Sequence, residues 1–178
     1  MDAGVVIRTA EPDDAESVSA IGRAAMLAQY AGLVDPLAVQ SAVSQTYSVE
    51  AISDCVSRCQ SADLAEFLVA ERDDRVLGYL HFDSFGPEPE LHRLYVDGQV
   101  RGGGLGGLLM AELHQRLPDD IRYMLLVLEG NDRAVAFYQK HGLHIEEYVD
   151  GLAYYRERMG VTFPEGTRPF HMVLMRQA

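Results

Sequence analysis

The sequence predicts a mixed α/β fold: one central sheet of about seven strands, mostly antiparallel, flanked by about four or five helices. Three observations predict it. The stretch "EFLVAERDDRVLGYLHFDSF" reads as a hairpin, with β-prone runs on either side of a tight acidic turn at Asp73-Asp74. Further on, Leu105, Leu108, Leu109, Leu113 and Leu117 recur at helical spacing and lead into "RYMLLVLE", a nearly continuous apolar run of the kind found in strands covered on both faces. The helix "NDRAVAFYQKHG" then follows that strand, so two crossovers sit mid-chain between hairpins at either end.

Each element has its own local reason. "VVIRTA" is a short β-prone run, Val5 to Ala10. "EPDDAESVSAIGRAAMLAQY" is a helix with Pro12 and acids at its start, where the helix dipole favours negative charge. Val18, Ile21, Ala25 and Leu27 or Ala28 form its apolar stripe, and "AGLVDP" breaks it. Residues 37–60 are helical in two pieces. "ELHRLYV", Glu90 to Val96, is a strand by length and composition, and Pro118 stops the leucine helix. In "NDRAVAFYQKHG", Asn131 is the N-cap, Lys140 and His141 fill the last turn and Gly142 takes the C′ position. "HIEEYV" and "FHMVLMR" close the sheet.

Length and composition set the class. A chain of 178 residues suits one domain spanning residues 1–178, and its 48% apolar content is that of a soluble globular protein. No apolar run approaches the ~20 residues needed to cross a bilayer. The start "MDAGVVIRTAEPDD" lacks the basic and apolar regions of a signal peptide, so a cytoplasmic location and no membrane partner are expected. Fifteen basic against 27 acidic side chains, net −12, argues against nucleic-acid binding and is compatible with a cationic substrate. Cys55 and Cys59 share a helix face. With no Cys or His cluster beside them in the chain, they read as buried thiols, and no metal is expected.

The chemistry concentrates in "VDGQVRGGGLGGLLM", Val96 to Met110. One reading is a dinucleotide fingerprint, Gly102-x-Gly104-x-x-Gly107, with Glu129 ending the next strand as a ribose-binding acid. The context opposes it. Asp97 to Arg101 intervene between strand and first glycine, and too little chain remains for a second mononucleotide half. The other reading takes the arginine into the motif: Arg101-x-x-Gly104-x-Gly106, opening a helix. Successive backbone N–H groups there make an anion nest, the glycines let the backbone approach a pyrophosphate, and Arg101 adds charge at the rim.

This Arg101-x-x-Gly104-x-Gly106 loop resembles motif A of the GNAT superfamily, the acetyl-CoA-dependent N-acetyltransferases. Leu94-Tyr95-Val96 stands upstream, where the family has a strand whose exposed backbone pairs with pantetheine. Asn131-x-Arg133-Ala134-x-x-Phe137-Tyr138-x-Lys140-x-Gly142 looks like motif B. The chain departs from the pattern at Gly98, often proline, and at Leu143, often aromatic. The resemblance implies a GNAT fold whose fourth and fifth strands, ending at Val96 and Glu129, splay apart around the pantetheine arm. It implies acetyl-CoA as cosubstrate, bound by Leu94, Tyr95, Val96, Arg101, Gly102, Gly103, Gly104, Leu105, Gly106, Gly107, Asn131, Arg133 and Tyr138.

The resemblance further implies direct acetyl transfer, in a ternary complex, to a primary amine of a small molecule or peptide. Tyr138 matches the family's general acid, placed to protonate the departing thiolate. Glu90 stands where one branch carries a catalytic glutamate. Period-2 alternation sets Glu90, His92, Leu94 and Val96 on one face, so His92 is a second candidate base and His81 a weaker third. The acceptor pocket is expected from residues 29–36 and from the long segment 150–170, with Tyr30, Tyr154 and Tyr155 as lining. That second segment serves equally as an oligomer contact, in a homodimer for example. The other reading is a CoA-binding module that regulates or scaffolds with little turnover. Antibiotic amines, polyamines, amino acids and protein N-termini all stay open as acceptors.

Overall fold

The computed structural model describes residues 4–100 and 102–177. Its elements run β1 (Val6–Thr9), α1 (Ala15–Tyr30), α2 (Pro36–Thr46), α3 (Val49–Gln60), β2 (Ala65–Arg72), β3 (Arg75–Asp83), β4 (Glu90–Val96), α4 (Leu105–Arg116), β5 (Met124–Leu128), α5 (Asp132–Lys140), β6 (Leu143–Asp150), α6 (Gly151–Met159) and β7 (His171–Gln177). Among the described residues, seven strands form one open sheet in the order β1-β2-β3-β4-β5-β7-β6. Every neighbouring pair is antiparallel except β4 and β5. No described helix is long and apolar enough to cross a membrane.

The elements form for local reasons. Asp73 and Asp74 both take left-handed backbone, φ 52 and 57, the pair of conformations a two-residue hairpin turn demands. Asp35 caps α2 by accepting from the Leu37 N–H at 2.9 Å, and Ser48 caps α3 through Ala51 at 3.1 Å. Asn131 caps α5 through Ala134 at 3.2 Å. On α1 the apolar stripe differs from expectation. Leu27 and Ala28 face outward, while Met26 and Tyr30 are buried. On α4, Leu105, Leu109, Leu113 and Leu117 are buried but Leu108 is 44% exposed, because it falls off the stripe that faces the sheet.

Among the described residues, six α-helices flank the sheet rather than four or five. The additional one, α6, occupies the segment read as a long loop. Its sequence "GLAYYRERM" has no apolar period. Two end signals define it instead: Asp150, accepting from the Ala153 N–H at 2.9 Å, and Gly160 at φ 64.

The sheet separates two hydrophobic clusters. On β2, Phe67 and Val69 pack toward α1, α2 and α3, whereas Leu68 and Ala70 pack toward α4. Strand β4 breaks this alternation. Leu91 pairs with Phe82 and Arg93 with His81, which leaves His92 without a partner and makes a β-bulge. Glu90, His92, Arg93 and Tyr95 therefore line one cavity together, while Leu91 and Leu94 turn toward α4. The expected single face for Glu90, His92, Leu94 and Val96 is thus corrected at Leu94 and Val96, which line the other cavity of the two. Beyond Glu90, paired with Met124, β4 has no register with β5, and the two strands part.

Candidate active site

Where β4 and β5 part, a cleft of about 430 Å³ opens. Leu94, Tyr95 and Val96 form one wall, and Gly102, Gly104, Leu105, Gly106 and Gly107 the next. Asn131, Arg133, Ala134, Phe137 and Tyr138 of the α5 end face them, with Ala25, Ala28, Gln29 and Leu33 across the mouth. Of the residues expected to hold the cosubstrate, Gly103 does not line this cleft, and Arg101 lies outside the described residues.

The glycines divide their work. Gly104 is the N-cap of α4 at φ 86, a left-handed conformation, and it offers no capping side chain. The N–H groups of Leu105, Gly106 and Gly107 therefore have no partner within the helix. A Cβ on Gly106 would stand 3.4 Å from both Leu94 Cδ2 and Phe137 Cζ, so this glycine lets α4, β4 and α5 meet closely. Unpaired amides at a helix N-terminus, beside a strand edge freed from its neighbour, fit an elongated anionic group such as a nucleotide pyrophosphate with an amide-bearing arm.

Tyr138 is half-buried on the cleft wall. Burial, with Tyr123 adding to it, pushes its phenol well above the usual range. It is a proton donor at neutral pH. Its hydroxyl makes no hydrogen bond to another described residue, although its ring meets Phe137 edge-on.

A second, smaller cavity of about 50 Å³ adjoins the cleft, and Gln29 and Tyr95 line both. Tyr30, Tyr47, Tyr154, Tyr155, Glu90, His92 and Arg93 also line it. Both expected acceptor segments reach this place. Tyr30 from the end of α1 and Tyr155 from α6 meet hydroxyl to hydroxyl at 3.0 Å. Glu90 is only 6% exposed, not a solvated strand start. The Tyr154 hydroxyl donates to its Oε1, His92 Nδ1 stands 3.3 Å from the same oxygen, and Arg158 Nη2 lies 3.8 Å from Oε2.

The charges continue inward. His92 Nε2 is 3.1 Å from Asp83 Oδ1, and His81 Nε2 is 3.0 Å from Asp83 Oδ2. Burial disfavours the His92 imidazolium, but Asp83 and Glu90 together outweigh it and raise the ring to about 9. Burial likewise opposes ionisation of Glu90, yet His92, Tyr154 and Arg158 hold its carboxyl below the usual range. Asp83 behaves the same way between its two histidines, overcoming burial to sit well below the carboxylate range. His92 therefore carries its proton at neutral pH and is not a free base there.

His81 lies outside both cavities. It stacks on Phe67 at 5.1 Å and on His92 at 4.9 Å, and it joins the two cysteines. Cys55, Cys59 and His81 bring their donor atoms within 4.8 Å of one another, a grouping the chain order conceals. Both ring nitrogens already face other groups, Nε2 toward Asp83 and Nδ1 toward Arg93 Nη1 at 3.4 Å. A metal would have to displace one of them. Gln29 and Leu33, from the segment expected at the acceptor pocket, line the main cleft, whereas sequence reasoning passed over Tyr47, Asp83 and Arg93. For Arg93 one signal was present: a charged residue amid the β-prone run "ELHRLYV".

Three comparisons bear on this geometry. A family model described as the acetyltransferase (GNAT) family matches residues 37–143. The chain is similar to the spermidine N(1)-acetyltransferase of Thermoplasma acidophilum, 25% identical over 156 residues covering 86% of this chain and 96% of the relative. It shares its fold with the PaiA N-acetyltransferase of Thermoplasma acidophilum, solved in complex with coenzyme A, at TM-score 0.77 and 22% identity over 98% of each chain. A ribosomal-protein-alanine N-acetyltransferase from Brucella melitensis superposes at TM-score 0.72 and 22% identity, covering 97% of this chain and 98% of that one.

Proposed function

The chain belongs to the acetyltransferase (GNAT) family and is an acyl-CoA-dependent N-acetyltransferase; from that premise we propose that it transfers acetyl from acetyl-CoA to a primary amine of a small molecule or peptide, directly, in a ternary complex. The observation that carries the reading is that the two cavities share Gln29 and Tyr95 as lining. A cleft that begins at the bare N-terminus of α4 runs along the free edge of β4 and meets, at Tyr95, a cavity holding an ionised carboxylate.

Acetyl-CoA, when bound, supplies an activated thioester. The amides of Leu105, Gly106 and Gly107 would hold its pyrophosphate, with Arg133 adding charge. The free edge of β4 at Leu94 to Val96 aligns the arm, and an N–H at Tyr95 or Val96 faces the thioester oxygen as negative charge develops there. Tyr138 donates its proton to the departing thiolate. Glu90 attracts the cationic amine and passes its proton to solvent through a water chain before attack; the second proton, shed by the nitrogen as the amide forms, leaves by the same route, and Tyr138 recovers its own from solvent. His92, held between two carboxylates, keeps Glu90 ionised rather than accepting the proton itself. That revises the expected role of His92 from base to positioning residue.

Acetyl-CoA titration by calorimetry, followed by CoA-release assays over an amine panel, tests the proposal. The panel includes spermidine, because a relative is named for it. Binding without amine-dependent release would identify a CoA-binding module instead.

A further inference from the structure

Arg93 is a buried cation without a carboxylate partner among the described residues. It is 8% exposed and sits on the wall of the second cavity. Its Nη2 donates to the Thr46 carbonyl at 3.3 Å, its Nη1 faces His81 Nδ1 at 3.4 Å and Cys55 Sγ at 3.9 Å, and its plane lies 5.0 Å from the Tyr47 ring. Among the described residues, no carboxylate oxygen comes within the 4.0 Å of an ion pair. Arg8 makes the contrast: far less buried, it is matched by Asp14 at 2.7 Å and Glu71 at 2.5 Å. The Cys55 thiol, held below its usual range by Cys59 with His81 and Arg93 adding to it, reaches Nη1 alone, at 3.9 Å, and leaves the other donors of the guanidinium without an anion. An unmatched charge in a low-dielectric site is costly unless something else completes it.

The bulge is what puts this cation there. Regular alternation would send Arg93 to the face opposite His92. With His92 unpaired, Arg93 joins Glu90 and His92 on one cavity wall. The cavity thus holds one carboxylate and one guanidinium, and Glu90 is already spoken for by His92, Tyr154 and Arg158 rather than by Arg93.

We propose that the acceptor is a free amino acid or a closely similar amino-carboxylate, its carboxylate held by Arg93 while its amino group lies toward Glu90 and the cleft. The inference rests on the N-acetylation reading above and narrows its acceptor. A guanidinium fork matches a planar carboxylate with two parallel hydrogen bonds. A space of about 50 Å³ suits a carboxylate and its adjoining carbon, and leaves the remainder of the acceptor to extend into the main cleft through the Gln29 and Tyr95 boundary.

The test uses matched substrates on the unaltered enzyme at saturating acetyl-CoA. Each of the common L-amino acids is compared with its amide and its decarboxylated amine, alongside spermidine, by CoA release. At least one amino acid should exceed its own amide and amine by about a hundredfold or more in kcat/KM, because the neutral analogues leave a buried cation unmatched. Arg93→Gln should erase that preference while acetyl-CoA affinity stays unchanged. Equal or better turnover of amides, amines or spermidine overturns the proposal and leaves N-acetylation standing. If acetyl-CoA binds but neither these amines nor a set of peptides with free N-termini are acetylated, both readings fall. Should Arg93→Gln not fold, the matched comparison on the unaltered enzyme still decides.

Discussion

Glu90 Oε1 and His92 Nδ1 stand 3.3 Å apart inside the protein, an ion pair at the junction of the bulged strand and the acceptor cavity. Asp83 closes the other side of the imidazole at 3.1 Å. This arrangement makes His92 a fixed cation, and it fixes how stability should respond to pH.

The imidazole is raised from its ordinary 6.5 to about 9, so its contribution to stability is fully present below about pH 6.5 and is lost as pH rises through about 9. Glu90 and Asp83 are lowered, so theirs is present above their ordinary values of 4.5 and 3.8 and is lost as pH falls. Urea melts should show stability declining from pH 6.5 to 9. His92→Gln should be less stable at pH 6.5 and should flatten that decline. Parallel curves for the two proteins would mean that the pairing contributes nothing to folding.

Gly104→Val and Gly106→Leu should both cripple acetyl-CoA binding, for different reasons. At Gly104 there is space for a side chain, but φ 86 costs any L-residue ~1–2 kcal/mol and reorients the amides behind it. At Gly106 the backbone is ordinary, and the new side chain drives Leu94 and Phe137 apart from 3.4 Å contact. Calorimetry should find affinity reduced by more than tenfold in each, with the far-ultraviolet circular dichroism of the fold retained.

Tyr138→Phe separates acid catalysis from cosubstrate contact. A lost general acid lowers kcat by ~10²-fold or more with KM little changed. A raised KM at unchanged kcat would reduce Tyr138 to a wall of the cleft.

Gly22→Ala tests the packing under the acceptor cavity. A Cβ there would lie 2.4 Å from Tyr79 Oη and 2.5 Å from Tyr47 Cδ1, both on buried rings that would have to shift. Overpacking of this kind costs ~1–3 kcal/mol, opposing the gain in helix propensity. Chemical denaturation should show a net loss; equal or greater stability would mean that the rings shift freely.

Features carried by local chemistry were legible in the sequence. The Asp73-Asp74 turn, the Asn131 cap and the glycine loop declare themselves in consecutive residues, and the succession of seven strands along the chain was legible beside them. What stayed hidden depends on register or on distant neighbours. The bulge at His92 leaves no mark in "ELHRLYV", yet it separates Leu94 from Glu90 and brings Arg93 round to the cavity. Helix α6 lacks a full apolar stripe because only Leu152 and Tyr155 pack on the core, while Tyr154 turns to Glu90 in the smaller cavity. His81 and the cysteine pair are joined only by the packing of α3 on the sheet.

The most direct test of the account measures CoA release from acetyl-CoA with and without primary amines, while recovering the amine product. The account predicts release that depends on the amine, with one acetylated amine formed for each CoA freed. Acetyl-CoA that binds tightly but is released as CoA at the same rate whether or not an amine is present would contradict it.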